Sequence, residues 1–565
     1  MDFRKTALIA CIAITLYYLL LQWPNESLVV DDIDQNDIKE SVLIDSDGSL
    51  TDTFSPVEDP LLSPVEDPIL SSETPLLSPV EDPILSSETP VVLGPVYEIE
   101  NEDLLLIVEA KSGKFVRSKL KMFKQSLGGE SALELLGEVG ENLYLGNSGF
   151  ISEDQNRYLH PNFSSLNKER GVDGSFVYIL KGENNGLYHE RKITFQEFGY
   201  SAVVEDKVTS GMSSTTKLMP YVAIERSGIN ESGGGFMNPE RFAYLGPVFS
   251  TSDDVYEKYD FEDINEEPYL KTSPGGWVAL IQHYFLTAWV PYQEGTYTYQ
   301  GKLNDASKRY RIAYTAKSVD LAPGGVAETT NTFYVGPKYP DELSKIQENL
   351  GLTVDYGFLF WLGKPMYWVL EKGDGLFNNW GVAIIFLTII VKLLTWPLSA
   401  KAYRSMGKMR VIQPKMLALQ ERHADDKQKL SQEMMGLYRK EGVNPLGGCL
   451  PMLLQMPFFL AFYWVLLETV QLRHSGFLWI DDLSAMDPFF VLPILNALGM
   501  YLSQKMTPSP PNADPTQAQI MKFMPVMFAV LFAWFPAGLV LYWLTNMLIQ
   551  ILQQWWYART PASSN

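Results

Sequence analysis

The sequence predicts a polytopic helical membrane protein that also carries one large exported domain of antiparallel β-strands. Five apolar stretches are close to membrane length or longer, one near the N-terminus and four after residue 376. The formal net charge of −22 is unevenly distributed, because residues 24–350 carry −27 whereas residues 351–565 carry +4. Cytoplasmic segments of membrane proteins are rich in Lys and Arg, so an acidic middle region between basic ends is typical of a chain whose middle is exported.

The composition also excludes several classes of protein. Two cysteines cannot form a disulfide framework, and the acidic total argues against a general nucleic-acid binder. The five histidines show no metal-ligand spacing, and the chain contains no serine-hydrolase elbow, zinc-protease motif or Walker A loop. We therefore predict no catalytic residue, no metal site, no cofactor and no nucleic-acid specificity.

Residues 1–23 predict an N-terminal membrane anchor. Arg4 and Lys5 precede the uncharged apolar stretch 6–21. A cleaved signal peptide begins in the same way, but no A-x-A cleavage site follows here. Lipoprotein processing at Cys11 is the second alternative, and the apolar stretch before that residue is short. An uncleaved signal anchor is the favoured interpretation.

Residues 24–91 are predicted to form a tether. They are rich in Pro, Ser and acidic residues, and the fifteen residues 61–75 recur unchanged at 76–90. A period of fifteen with several prolines fits neither a solenoid nor a core strand. Dense prolines favour extended polyproline-type chain, which makes a semi-stiff spacer. A ligand for a partner protein is the alternative.

Residues 92–345 predict an antiparallel β domain. Apolar and polar residues alternate with period two in runs such as 176–180 and 192–195, and Gly, Asn or Asp interrupts the runs about every ten residues. A segment of about 250 residues is long enough for two packed sheets. Residues 346–376, with Trp361 and Trp368, predict an amphipathic helix that lies in the membrane interface.

Five further spans are predicted after the interfacial helix. They cover residues 377–403, 447–468, 486–503, 518–535 and 537–557, where a Phe-Pro-Ala-Gly turn at 535–538 divides the last apolar stretch into a hairpin. With the anchor this makes six spans, so both termini lie on one side, which Arg4 and Lys5 identify as the cytoplasm. The segment 401–446 has ten basic and five acidic residues, as a cytoplasmic segment should.

Lys392 is a charge inside a predicted span. It lies roughly 16 Å into the bilayer, where a charge costs about 2.5–3.5 kcal/mol on insertion scales. Thr388, Thr395 and Ser399 share its helix face. Other spans add Gln455, Asn496, Asn546 and Gln550. This pattern favours a hydrated, positively charged groove for a transient anionic guest, whereas the alternative is a snorkelling lysine with amides that join helices.

The basic segment 404–446 predicts a cytoplasmic helical hairpin. Its apolar residues include Met406, Met409, Met434 and Met435. Methionine-rich faces adapt to varied apolar partners, so this hairpin is a candidate for the capture of hydrophobic segments. A basic helix pair that rests on anionic lipid is the alternative, and both can hold.

Several segments resemble one known family. The stretches 379–392, 425–466, 479–495 and 535–543 closely resemble the YidC membrane-protein insertases. In the exported region, 251–264 and 275–291 are similar to the Gram-negative form of that family. The resemblance is very specific across 350–557 and weaker across 240–345, and the repeated tether shows none.

The resemblance implies a five-helix core after the anchor, a periplasmic β-supersandwich, and a groove that opens to the cytoplasm and to lipid. It also implies that substrate helices slide along Thr388 and the Tyr542/Trp543 pair. The family commonly has Arg where this chain has Lys392, and Tyr where it has Trp543. A lysine keeps the positive charge but lacks the planar guanidinium fork.

The predicted function is therefore that of a non-enzymatic insertase in the bacterial inner membrane. It would move hydrophobic segments of nascent proteins from the cytoplasm into the bilayer without nucleotide hydrolysis, with the Sec translocon and the ribosome as further partners. A secondary transporter with a solute-binding periplasmic domain is the alternative, but the inverted repeats and midplane ion site that it needs are not visible. A signalling receptor would need a cytoplasmic output domain, and none is recognisable.

Overall fold

The computed structural model describes residues 94–139, 142–228, 244–304, 307–423, 426–442, 450–506 and 515–559. The predicted anchor 1–23 and tether 24–91 lie outside these ranges. The described part contains a β domain followed by a group of helices.

The β domain consists of two antiparallel sheets of twelve and nine strands among the described residues. In chain order the strands are β1 (Val96–Glu100), β2 (Leu104–Glu109), β3 (Phe115–Lys124), β4 (Ala132–Glu134), β5 (Gly137–Val139), β6 (Asn142–Ser152), β7 (Arg157–Tyr158), β8 (Phe163–Arg170), β9 (Phe176–Asn184), β10 (Leu187–Phe195), β11 (Ser201–Ser210), β12 (Thr216–Ser227), β13 (Gly246–Ser250), β14 (Glu257–Lys258), β15 (Tyr269–Pro274), β16 (Trp277–Gln282), β17 (Phe285–Pro291), β18 (Thr296–Asn304), β19 (Arg309–Ala316), β20 (Val319–Leu321) and β21 (Val326–Pro337).

The larger sheet runs β1-β2-β3-β6-β12-β19-β18-β15, and the smaller runs β14-β13-β16-β17-β21-β11-β10-β9-β8. Strand β11 alternates half-buried and buried residues along its whole length, as the period-two pattern predicts for a strand with one face on a core. The antiparallel β domain predicted from the sequence is thereby confirmed.

Aromatic side chains fill the space between the two sheets. The rings of Trp289 and Phe333 stack with centroids 4.1 Å apart, and Phe115 from the larger sheet lies 4.8 Å from Phe333. The Nε1 of Trp289 on β17 donates a hydrogen bond of 3.1 Å to the carbonyl of Ala223 on β12. This bond joins the sheets directly and satisfies the one polar atom of a fully buried indole.

Helices make up most of the chain after the sheets, and one short helix, Phe261–Glu266, lies between β14 and β15. They are α1 (Phe261–Glu266), α2 (Pro340–Ile346), α3 (Phe360–Phe377), α4 (Trp380–Arg422), α5 (Lys427–Lys440), α6 (Leu450–Glu468), α7 (Val491–Met506), α8 (Pro515–Phe532) and α9 (Ala537–Arg559), with short 3₁₀ turns at Glu348–Thr353, Gly357–Leu359 and Val470–Leu472. Helix α3 exposes Trp361 and Trp368 and buries Met366 and Leu370.

Helix α4 is the longest element. It has 43 residues, so it extends about 65 Å, which is roughly twice the thickness of a hydrocarbon core. The Oδ1 of Asn379 caps its start by accepting from the amide of Val382 at 3.1 Å. The sequence places a span end at residue 403, but the helix continues without a break into the predicted hairpin and ends at Arg422.

Among the described residues, only α4 has both the length and the mean hydropathy of a membrane span. Shorter apolar segments occur at Leu454–Glu468 and Lys522–Phe532.

Candidate functional site

One face of α4 is polar and buried. The buried residues of this face are Thr388, Lys392, Thr395 and Ser399. Lys392 is only 5% exposed. The opposite face is apolar and open, since Leu394 is 72% exposed. This arrangement reverses that of a water-soluble helix and fits a helix that faces lipid on one side and a polar interior on the other.

The neighbouring helices also expose apolar side chains. Large apolar side chains are exposed along one side of α7, α8 and α9; they are Ile494, Leu498, Leu502, Phe523, Val526, Val530, Leu548, Leu552 and Trp555. Exposed apolar surface of this extent is unfavourable in water, so it indicates contact with another apolar phase.

Lys392 has no hydrogen-bond or ion-pair partner among the residues that the structure describes. The neighbouring hydroxyls are already used, because Thr388 donates to the carbonyl of Ile384 at 2.7 Å and Thr395 donates to that of Val391 at 2.9 Å. A buried ammonium group in this setting requires water or an anionic guest. The site therefore offers one unpaired positive charge.

Gln455 and Tyr542 connect α6 to α9. The Nε2 of Gln455 donates to the hydroxyl of Tyr542 at 2.6 Å, and the Tyr542 ring lies 4.7 Å from that of Phe462. Tyr542 is fully buried. The hydroxyl thus holds two helices together.

The remaining polar candidates differ in their surroundings. The Nδ2 of Asn496 on α7 donates to the carbonyl of Val540 on α9 at 3.1 Å, so this amide joins two helices. Asn546 is buried, and its Oδ1 has no hydrogen-bond partner among the described residues. Gln550 is only half-buried.

Trp543 lies in an aromatic cluster. Its ring is 5.0 Å from Phe459 on α6 and 5.5 Å from Phe532 on α8, and its Nε1 has no partner among the described residues. Thr388 lies on α4 with its hydroxyl bonded within that helix. The structure thus places Tyr542 and Trp543 among the rings of α6 and α8, and it shows no bond from either to Thr388.

The predicted hairpin consists of the distal half of α4 and helix α5. They pack through a small core of Ile412, Met416, Leu430 and Met434, against which Met409 is partly buried. Met406 is half-buried, and Met435 is 46% exposed. Of the four predicted methionines, Met434 therefore packs in the hairpin's own core. Met435 is exposed, as are Val411 and Leu417.

No group of three or more His, Cys, Asp or Glu side chains in the described ranges could hold a metal ion.

Two family models match the chain. One, described as "60Kd inner membrane protein", covers residues 373–563, and the other, "YidC periplasmic domain", covers residues 96–369. The "Membrane protein insertase YidC" of Marinomonas sp. (strain MWYL1) is 38% identical over 98% of this chain and 98% of its own length. That of Shewanella frigidimarina (strain NCIMB 400) is 41% identical over 81% of this chain and 85% of its own length.

The comparison with solved structures also matches the "active YidC insertase crystal structure with the first transmembrane domain resolved". It has a TM-score of 0.38 and 18% identity, and the match covers 82% of this chain and 94% of that chain.

The two family models, the curated relatives and the antiparallel β domain define an inner-membrane protein with a periplasmic domain. The chain belongs to the YidC family of membrane protein insertases, which confirms the resemblance found in the sequence.

Proposed function

We propose that the chain inserts hydrophobic segments of nascent proteins from the cytoplasm into the inner membrane, without nucleotide hydrolysis. The observation that carries this proposal is Lys392, a charge without a partner among the described residues, on a buried polar helix face whose opposite face is apolar and exposed. Transfer of the apolar segment into lipid supplies the driving force, about 0.8 kcal/mol for each CH₂ removed from water.

The groove is proposed to run along the polar face of α4. Lys392 attracts acidic residues of the incoming tail, and Thr388, Thr395, Ser399, Asn546 and Gln550 keep its path hydrated. Gln455 and Asn496 act mainly as ties between helices, since both amides are bonded to α9. Substrate helices slide past Thr388, Tyr542 and Trp543 from the lipid side.

Short helices reduce the polar distance that a substrate must cross. Helix α7 has 16 residues and α8 has 18, which correspond to about 24 and 27 Å, against about 30 Å for a typical hydrocarbon core. A bilayer thins around spans that are shorter than its core. The tail of a substrate would then cross a thinner barrier beside α7 and α8.

The proposed topology has six spans, with both termini in the cytoplasm. The anchor 1–23 and segments of α4, α6, α7, α8 and α9 form the spans, while the tether and the β domain are periplasmic. The hairpin is cytoplasmic, where it can meet ribosomes, and the Sec translocon is a further proposed partner in the membrane.

Thiol labelling tests this topology. Ala485 and Ala418 are both exposed, on the loop before α7 and on the hairpin, respectively. In a background with Cys11→Ser and Cys449→Ser, we expect Ala485→Cys to react with a membrane-impermeant reagent added to spheroplasts. Ala418→Cys should react only after the membrane is permeabilised. Labelling of Ala418→Cys in intact spheroplasts would contradict the topology.

Insertion into liposomes tests the function itself. Liposomes that contain only this chain should insert a small single-span protein in the absence of nucleotide, measured by protection of its translocated tail from protease. Empty liposomes give the background. No protection above that background would contradict the insertase proposal, whereas solute uptake driven by an ion gradient would favour a transporter.

A further inference from the structure

A buried ion pair connects the β domain to the helices. Lys338 follows the last residue of β21, and its Nζ donates to Oε2 of Glu468, the last residue of α6. The two side chains are 2% and 6% exposed. The partners are 130 residues apart in sequence, so the contact depends entirely on how the two parts of the chain dock.

Burial makes the separation of this pair more costly in free energy than the separation of a surface ion pair. Each charge loses its hydration, and the loss is offset only while the opposite charge stays in contact. If the β domain moved away without water reaching both groups, each part would retain an uncompensated charge. The pair therefore resists small displacements of the β domain relative to α6.

Other polar contacts surround the pair. The guanidinium group of Arg473 donates to the carbonyls of Lys124, at 2.7 Å, and Gln125, at 3.0 Å. The side chains of Lys258 and Asp355 pair at 2.5 Å. The ends of β3, β14 and β21 thus contact Arg473 after α6, Asp355 before α3 and Glu468 on α6, and three separate contacts restrain rotation as well as translation.

His283 lies in the β16–β17 turn at the same place. Its Nε2 is enclosed without a hydrogen-bond partner among the described residues. Burial lowers the pKa of His283 to about 3, and the positive charge of Lys338 acts in the same direction. The ring is therefore neutral at neutral pH and does not compete with Lys338 for Glu468.

We propose that Lys338 and Glu468 form a lock that fixes the β domain on the C-terminal end of α6. The β domain then acts as a rigid support for the helix that carries Gln455, thirteen residues or about 20 Å from Glu468. This supporting role of the β domain goes beyond insertion, and the lock does not depend on how the groove works.

Distance measurements between spin labels test the lock in the full chain. One label is placed at Val172→Cys, on the fully exposed β8–β9 turn, and the other at Ala485→Cys, in the Cys11→Ser, Cys449→Ser background. The parent should give one narrow distance distribution. Lys338→Met and Glu468→Gln should each broaden it roughly twofold, because each leaves one buried charge unpaired.

Two matched variants complete the test. Lys207→Met breaks the exposed Lys207–Glu328 pair within the β domain and should leave the distribution narrow. The reversed pair Lys338→Glu with Glu468→Lys should restore the narrow distribution. This variant tests the proposal even where the single variants fail to accumulate. Single variants as narrow as the parent, or a reversed pair that is broad or does not accumulate, would overturn the proposal.

Discussion

Lys392→Glu is expected to reduce the insertion of substrates with acidic leading tails about tenfold more than that of substrates with neutral tails. Lys392 carries a charge with no partner among the described residues and is 5% exposed, so its field is weakly screened. A difference of about 1.4 kcal/mol in the interaction with the tail corresponds to that factor. Initial rates of tail protection in the liposome assay measure it.

The comparison needs substrates that differ only in tail charge. Lys392→Arg keeps the charge and should insert both substrates at near-parental rates, while Lys392→Gln should fall between the parent and Lys392→Glu. Lys372→Glu makes the same charge change at an exposed position on α3 and should affect neither substrate. An equal loss for acidic and neutral tails would show that charge attraction is not the role of Lys392.

The sequence pattern predicted which residues of α4 share a buried face. The i, i+4, i+7 and i+11 spacing placed Thr388, Lys392, Thr395 and Ser399 on one face, and the structure buries that whole face. The period-two runs likewise predicted the strands. Both signals work because a regular element repeats its orientation every few residues, whatever it packs against.

Contacts between distant segments were not predictable in this way. Glu468 and Asp487 lie at the edges of the predicted spans 447–468 and 486–503, where acidic side chains usually face water, yet both are buried. Glu468 pairs with Lys338, and Asp487 accepts from the amide of Leu492 at 2.7 Å and from Nε1 of Trp479 at 3.1 Å. No local spacing signals the Lys338–Glu468 pair, because these partners meet only when the helices and sheets dock, whereas the bonds of Asp487 stay within its own loop and the start of α7.

The methionines of the hairpin show the same limit. Met434 and Met435 are adjacent in sequence, but helical geometry turns Met434 into the core with Ile412 and leaves Met435 open. Which of two neighbouring residues faces inward depends on how α5 rotates against α4. That rotation is fixed by Met416 and Leu430, on opposite sides of the turn.

Replacing residues 404–440 with a short Gly/Ser linker is expected to abolish capture of hydrophobic nascent segments. The hairpin presents apolar side chains beside an excess of basic residues, and its exposed large apolar side chains are Val411, Leu417 and Met435. Photo-crosslinking of a ribosome-bound nascent chain to the protein in membranes measures capture. The linker removes the distal half of α4. Thermal unfolding is therefore measured first, to check that the remaining helices still pack together, including the Gln455–Tyr542 contact.

Point variants separate capture from attraction to lipid. Val411→Ser, Leu417→Ser and Met435→Ser together remove the exposed apolar surface without touching the hairpin core, and they should reduce crosslinking several-fold, since each loses the burial of a large apolar side chain. Lys408→Gln with Arg410→Gln removes basic charge from the same helix and should leave crosslinking unchanged while weakening attraction to anionic vesicles. Parental crosslinking in both the linker variant and the triple serine variant would exclude the hairpin as the capture element, and the basic helix pair on lipid would then be its role.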